Sequence, residues 1–191
     1  KARFHRIALV SQMNPQVSAF TIVETMLLDH RMSFFPLKSL RKERLEIQTF
    51  LNSLEEHFEL DMHIPVSRLS LSDQLLIEIL KQLFHNPRIL ILDETLGRLD
   101  GPTLSKVRSL LKHRVAKGMA ILHISHQIDE LFFFADRVSV MKEGKILFTD
   151  RTDMADRFGV IQLAYSQFSS PLQSVQGQPF YHVLKYNEAI L

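Results

Sequence analysis

Asp93 and Glu94 are the residues in this sequence best placed to do chemistry. They follow four apolar residues, Ile89-Leu90-Ile91-Leu92, so that two adjacent carboxylates are delivered by one short buried run. A run of that kind, flanked by turn residues, is expected of a strand covered on both faces. Ligands of open α/β sheets bind at the C-terminal ends of such strands. An acid there can hold a magnesium ion, usually through water, and its neighbour can orient or deprotonate a water that attacks a phosphate. Read alone, the hexapeptide is equally well a strand followed by a polar turn.

Other polar groups fall into line around it. Ile124-Ser125-His126 ends a second apolar segment, Met119 to Ile124, and Gln12 follows a third, Ile7 to Val10. Leu69-Ser70-Leu71-Ser72-Asp73-Gln74 opens a helical pattern, and Ser70 with Asp73 makes a capping box that stabilises a helix start by about 1 kcal/mol. Gly97-Arg98-Leu99-Asp100 lies a few residues beyond the acidic pair. His123 and His126 are three apart, but on a strand residues so spaced diverge to opposite faces, which argues against a metal pair.

The elements that must carry these groups can be read from spacing. Ile7 to Val10 predicts a strand, followed by a loop from Met13 to Phe20 that contains Pro15. Thr21 and Glu24 form a second capping box, so a helix should start there. Leu37 to Leu60 alternates charge with Leu40, Leu45, Ile47, Phe50, Leu51, Leu54 and Phe58, predicting one long amphipathic helix. A further helix is expected from Ser72 to about His85, closed by Pro87, so that residues 20 to 86 look all-helical.

Beyond that point strands and helices alternate. Pro102 and Gly118 bracket a helix, Ile128 to Ala135 predicts another, and Val138 to Met141 a strand that turns at Glu143-Gly144 into a hairpin. Alternation of this kind argues for a βαβ sheet. The stretch from Ser169 to Pro179 reads as a linker, and Tyr181 to Leu191 as a helix. Phe132-Phe133-Phe134 is expected in the core, while Phe34-Phe35 beside Pro36 divides evenly between core and contact surface.

Composition narrows the function classes. With 191 residues, 46% of them hydrophobic and 23% charged, the chain has the makeup of one folded domain with a short appendage. Its 23 Lys and Arg against 21 Asp and Glu leave a formal charge of +2 and no basic block, so nucleic acid is not an expected partner. There is no cysteine, which excludes disulfides and thiolate metal sites. No apolar stretch is long enough to span a bilayer and the start at Lys1 carries no signal pattern; that start, and the stop at Leu191, suggest a piece of something longer.

Taken in order and spacing, Gln12, the segment Leu69 to Gln74, Asp93-Glu94, Gly97 to Asp100 and Ile124 to His126 resemble the nucleotide-binding domain of ATP-binding cassette (ABC) ATPases. The resemblance covers roughly residues 5 to 150, and Leu69 to Leu83 looks closest to sugar importers. It implies an α/β fold with a mostly parallel sheet and an inserted helical subdomain at about 20–86, a cassette over 1–160, and a linker and helix over 161–191. It further implies Asp93 and Gln12 at magnesium, and Glu94, His126 and Gln12 as catalytic groups. Ser70, Leu71, Ser72, Asp73 and Asp100 would be signature and D-loop residues that reach ATP in a second cassette. A cytoplasmic location, peripheral to the membrane, and a transmembrane permease partner would follow, the chain itself having no span.

Three departures qualify that picture. Ser72 stands where the family has glycine, Asp73 where it has a neutral polar residue, and Thr95-Leu96 where it has Pro-Thr. The phosphate-binding Walker A pattern, G-x-x-x-x-G-K-[ST], is absent: the glycines stand at 97, 101, 118, 144, 159 and 177, and none leads such a motif. In the family that loop precedes the Q-loop strand, upstream of Lys1. The alternative is a degenerate cassette serving a signalling protein, with the last segment similar to helices that lead into sensory PAS domains.

Overall fold

The computed structural model describes residues 7–11, 19–27, 40–54, 58, 60–165 and 181–184. Six strands form one sheet in the order β1-β2-β3-β6-β4-β5. They are β1 (Ile7–Val10), β2 (Ile89–Asp93), β3 (Ala120–Ile124), β4 (Arg137–Lys142), β5 (Lys145–Arg151) and β6 (Tyr181–Leu184). β1, β2 and β3 pair in parallel, with Ile7, Ile89 and Ala120 in one row and Leu9, Ile91 and Leu122 in the next. β4 and β5 are an antiparallel hairpin, and β6 runs antiparallel to both β3 and β4. The fold is α/β, as the alternation of patterns predicts, and four of the six strands, β1 to β4, point the same way.

Among the described residues six α-helices accompany it: α1 (Ile22–Leu27), α2 (Leu40–Asn52), α3 (Leu71–Phe84), α4 (Gly101–Ala116), α5 (Ile128–Phe134) and α6 (Arg157–Tyr165). The capping box at α1 is real in both directions: the Thr21 amide donates to Oε2 of Glu24 at 2.9 Å, and the Glu24 amide donates to Oγ1 of Thr21 at 3.4 Å. α4 starts on Asp100, whose Oδ1 accepts from the Thr103 amide at 2.9 Å, and carries Pro102 in its first turn. Gly118 then takes φ +95°, a left-handed conformation that only glycine adopts cheaply, and ends it.

Helices α1 to α4 bury one face of β1–β3. Ala8, Val10, Leu90, Leu92 and Ile121 share a single apolar core with Ile22, Met26, Ile77, Leu80, Val107 and Leu111, so the helical stretch before β2 has no separate core. A smaller cluster joins Ile128 and Leu131 of α5 to Val138 and Val140 of β4 and Val160 of α6.

Four expectations need correction or adjustment. Helix α2 stops at Asn52 rather than running to Leu60, because the Ser53 hydroxyl donates to the Phe50 carbonyl at 2.6 Å and the Leu54 amide to Leu51, a local turn that competes with further helix. Tyr181 to Leu184 is a strand and not a helix; its residues are aromatic and β-branched in part, and pairing with β3 and β4 gives the backbone a ladder that an isolated end helix would lack. The boundary set near residue 160 falls inside α6, whose Val160 is buried. Of the three phenylalanines only Phe134 is fully in the core, while Phe133 is 68% exposed with Arg108 and Lys112 over its ring. Gln12, Phe34, Phe35 and the linker at 169–179 lie outside the described residues.

Candidate active site

The acidic pair sits where parallel packing puts it, at the C-terminal edge of β2. Asp93 is the last residue of the strand and registers with Ile124 of β3. Glu94 leaves the strand at φ +51°, and its amide donates to the Ile124 carbonyl at 2.9 Å. A left-handed glutamate is strained by the order of 1 kcal/mol, and that bend turns its carboxylate away from the line of β2 towards the end of β3. There Oε2 of Glu94 lies 2.6 Å from Nδ1 of His126, a short contact in which a carboxylate accepts from the ring. The Glu94 side chain keeps 19% of its surface in contact with solvent and that of His126 keeps 61%.

His123 and His126 part company because His123 lies within β3 whereas His126 stands two residues past its end. His123 is fully buried on the face of β3 that meets α5, where its ring packs edge-on to Phe134. Burial, aided by the charge of Arg108, pushes its pKa down to about 4. Among the described residues there is no cluster of three His, Cys, Asp or Glu able to hold a metal. A magnesium ion, however, needs only one or two carboxylates when phosphate oxygens and water complete its shell, and Asp93 suits that role.

The second group of candidate residues forms at the N-terminus of α3. Ser70 caps the helix: its Oγ accepts from the Asp73 amide at 3.1 Å and donates to Oδ2 of Asp73 at 2.7 Å. Leu71 is 75% exposed beside it. Ser72 is buried, and its hydroxyl accepts from the Asp100 amide at 3.1 Å, which ties the start of α3 to the start of α4. Hydrogen bonding by Ser72, with help from Thr103, holds the Asp100 carboxyl below the usual range.

Thus the structure brings Asp93, Glu94 and His126 to one edge and Ser70, Ser72, Asp73 and Asp100 to a neighbouring cap, with the turn from Thr95 to Leu99 between them. Gln12 cannot be placed in either, being outside the described residues. Sequence reasoning overlooked the Ser72–Asp100 link, since only the fold brings residues 28 apart into contact. It also overlooked Arg108–Glu130, joined at 3.2 Å between α4 and α5. Burial raises the pKa of Glu130, against Arg108 and with a further push from the charge of Glu94, so this buried acid feels the site. Gly97 is the closest approach in the turn: a Cβ there would meet Nε2 of Gln127 at 2.7 Å.

No protein-family profile matches the chain. Among curated proteins, a ribose import ATP-binding protein of Rhizobium etli is 32% identical over 153 residues, covering 78% of this chain and 29% of that protein. A xylose import ATP-binding protein of Geobacillus kaustophilus is 28% identical over 148 residues, again covering 78% of this chain and 29% of the relative. The chain therefore spans under a third of the length of these relatives. A dimeric bacterial ABC transporter cassette superposes with a TM-score of 0.64 at 24% identity, over 77% of this chain and 63% of that one. The cbiO1 protein from Clostridium perfringens, part of the ABC transporter complex cbiONQ, gives 0.61 at 22% identity over 86% and 66%.

Proposed function

Because the chain belongs to the nucleotide-binding domains of the ATP-binding cassette family, with the sugar-importer type among its relatives, we propose that it is the part of such an ATPase that carries the water-activating acid. The intact protein would couple ATP binding and hydrolysis to import of a sugar. The observation that carries this reading is the Glu94–His126 contact at the C-terminal edge of β2 and β3.

The geometry supports a role for each described residue. Glu94 orients and deprotonates the attacking water, and its left-handed backbone fixes the carboxylate over the sheet edge. His126 holds that carboxylate through Nδ1 and presents its other ring nitrogen towards the phosphate. Asp93 supplies the carboxylate for magnesium, which when bound neutralises charge on the phosphates. Ser70, Leu71, Ser72 and Asp73, with Asp100, form the surface that a second cassette would meet. Gln12 keeps its proposed place at the magnesium and the water.

The phosphate cradle is not among the 191 residues, so the chain by itself is expected to show no ATPase activity. A transmembrane permease partner and a place at the cytoplasmic face of the membrane belong to the same proposal; no helix among the described residues is long and apolar enough to cross a membrane. The test is Glu94→Gln in the full-length protein. ATP should still bind while turnover disappears; turnover that survives would remove Glu94 from the mechanism.

One observation favours a second reading, a cassette without transport activity. The Asp73 carboxylate already occupies the N-terminal turn of α3, where a partner's phosphate would otherwise be received. Full-length protein that binds ATP but never pairs would support it.

A further inference from the structure

The end of the sheet opposite the acidic pair is lined by cations. β2 starts after Arg88 and β3 after Met119, so that end stands about 16 Å from the acidic pair, the length of five residues of strand. Two cavities meet there on Arg114 and Lys117, at the C-terminal end of α4. One, of about 140 Å³, lies between the end of α2 and α4, and adds His113, Ser53 and Ser109. The other, of about 420 Å³, lies between the end of α3, the start of β2 and the turn at Gly118. It adds Arg88 and Asn86 over a floor of Leu83, Pro87 and Met119, all three buried.

No carboxylate lines either cavity. Lys42, Lys81, Arg108, Arg151 and Arg157 each meet a carboxylate within 4.0 Å, whereas among the described residues Arg88, Arg114 and Lys117 meet none. The carbonyls that end α4 carry the equivalent of about half a negative charge, which does not balance three cations and does not concern Arg88, outside the helix. Arg114 is half-buried, and its guanidinium is held over the Phe50 ring at 5.6 Å. Burial draws its pKa below the ordinary arginine range, because a cation is taken out of water there, and an anion alongside would restore the lost solvation. Arg88 and Lys117 are exposed and reach the cavity on long, adjustable stems.

We propose that the larger cavity binds a small phosphate-bearing anion, with Arg88, Arg114 and Lys117 pairing its oxygens and Leu83, Pro87 and Met119 receiving its carbon body. The volume suits such a ligand, since small-molecule sites enclose about 300–1,000 Å³. Three cations match the charge of about −2 on a phosphate monoester, or the greater charge of a diphosphate, and a guanidinium fork fits paired phosphate oxygens. The cations line a hollow and not a flat, projecting face, which favours a soluble molecule over a membrane surface. Because the cavity lies at the far end of β2 from Asp93 and Glu94, the inference stands or falls apart from ATP hydrolysis.

The test is calorimetric titration of the full-length protein with inorganic pyrophosphate, with ADP in excess to fill the proposed nucleotide site. One pyrophosphate per chain is expected to bind. Arg88→Gln and Lys117→Gln should each weaken it about tenfold, as for loss of a charge-assisted hydrogen bond. Both residues are exposed, so these variants should melt as the wild type does. Lys145→Gln, on the exposed turn of the β4–β5 hairpin, is the control and should leave binding unchanged. Absence of binding, or binding that the double variant of Arg88→Gln and Lys117→Gln leaves intact, would overturn the proposal. So would attachment of the wild type, and not of the double variant, to phosphatidylglycerol vesicles while pyrophosphate stays unbound, which would assign the cations to a membrane surface.

Discussion

At the ends of β2 and β3 the His126 ring stays in contact with solvent, whereas at the start of α3 the polar side chains are spent on one another. Glu94 and His126 meet in a single short contact, with the imidazole largely in water. Ser70, Ser72, Asp73 and Asp100 are joined by three hydrogen bonds among themselves, and the Asp100 carboxylate accepts a fourth from the Thr103 amide. The first arrangement keeps a carboxylate and an imidazole available to a substrate. The second satisfies the helix-terminal groups internally, so that binding an anion there would first require breaking local bonds. On the proposed reading the first region serves chemistry, while the hydrogen bonds of the second stabilise the start of α3.

The largest expected effect tests the first half of that contrast. Glu94→Gln in the full-length protein should lower ATP turnover by about 10²- to 10⁴-fold, the usual contribution of a positioned base, with nucleotide affinity retained. Unchanged turnover would mean that both regions are structural.

A buried group beneath the open edge comes next. His123 binds a proton more weakly in the folded state, at about 4, than in the unfolded chain at about 6.5. Its contribution is therefore complete above about pH 6.5 and is lost as pH falls towards 4, on the order of 3 kcal/mol in all. Glu130, raised by burial, works in the opposite sense and regains stability on protonation, which softens the loss. Urea melts at pH 7 and pH 4.5 should show the drop, and His123→Leu should flatten it; an acid dependence unaltered by that change would assign the effect elsewhere.

His126→Ala should cost turnover about 10- to 100-fold, as for a hydrogen bond to a charged group, and less than loss of Glu94 itself. Equal losses for the two variants would show that they act as one unit.

At α3 the expectations concern stability. Ser70→Ala removes the cap and should cost about 1 kcal/mol in thermal or chemical melts with little change in any activity. Asp73→Asn, the smallest change, should cost about 0.5 kcal/mol through the helix dipole, and ATP-dependent pairing of full-length cassettes should strengthen as the resident charge is removed. Pairing that weakens instead would reverse the contrast and make Asp73 a binding residue.

Several of these features were legible before any coordinates. The Ile89–Leu92 run fixed the strand that carries Asp93 and Glu94, and capping boxes at Thr21 and Ser70 marked two helix starts within a residue. Gly118 and Glu143-Gly144 marked a helix end and a hairpin turn because each needs positive φ. The errors came where local preference gave way to a neighbour. The sequence from Tyr181 has helical spacing, yet Tyr181–Leu184 pairs with β3 and β4 as a strand. Phe133 sits in an apolar triplet, yet helical geometry turns it outward against Arg108 and Lys112.

What the sequence alone determined were the residue types, the order of strands and helices and the caps, since these depend on periodicity and on contacts within about four positions. Only the tertiary structure decided that Glu94 bends back to His126, 32 residues away, and that Ser72 ties α3 to Asp100. Those are long-range contacts, set by strand register and crossover handedness, and no local pattern encodes them.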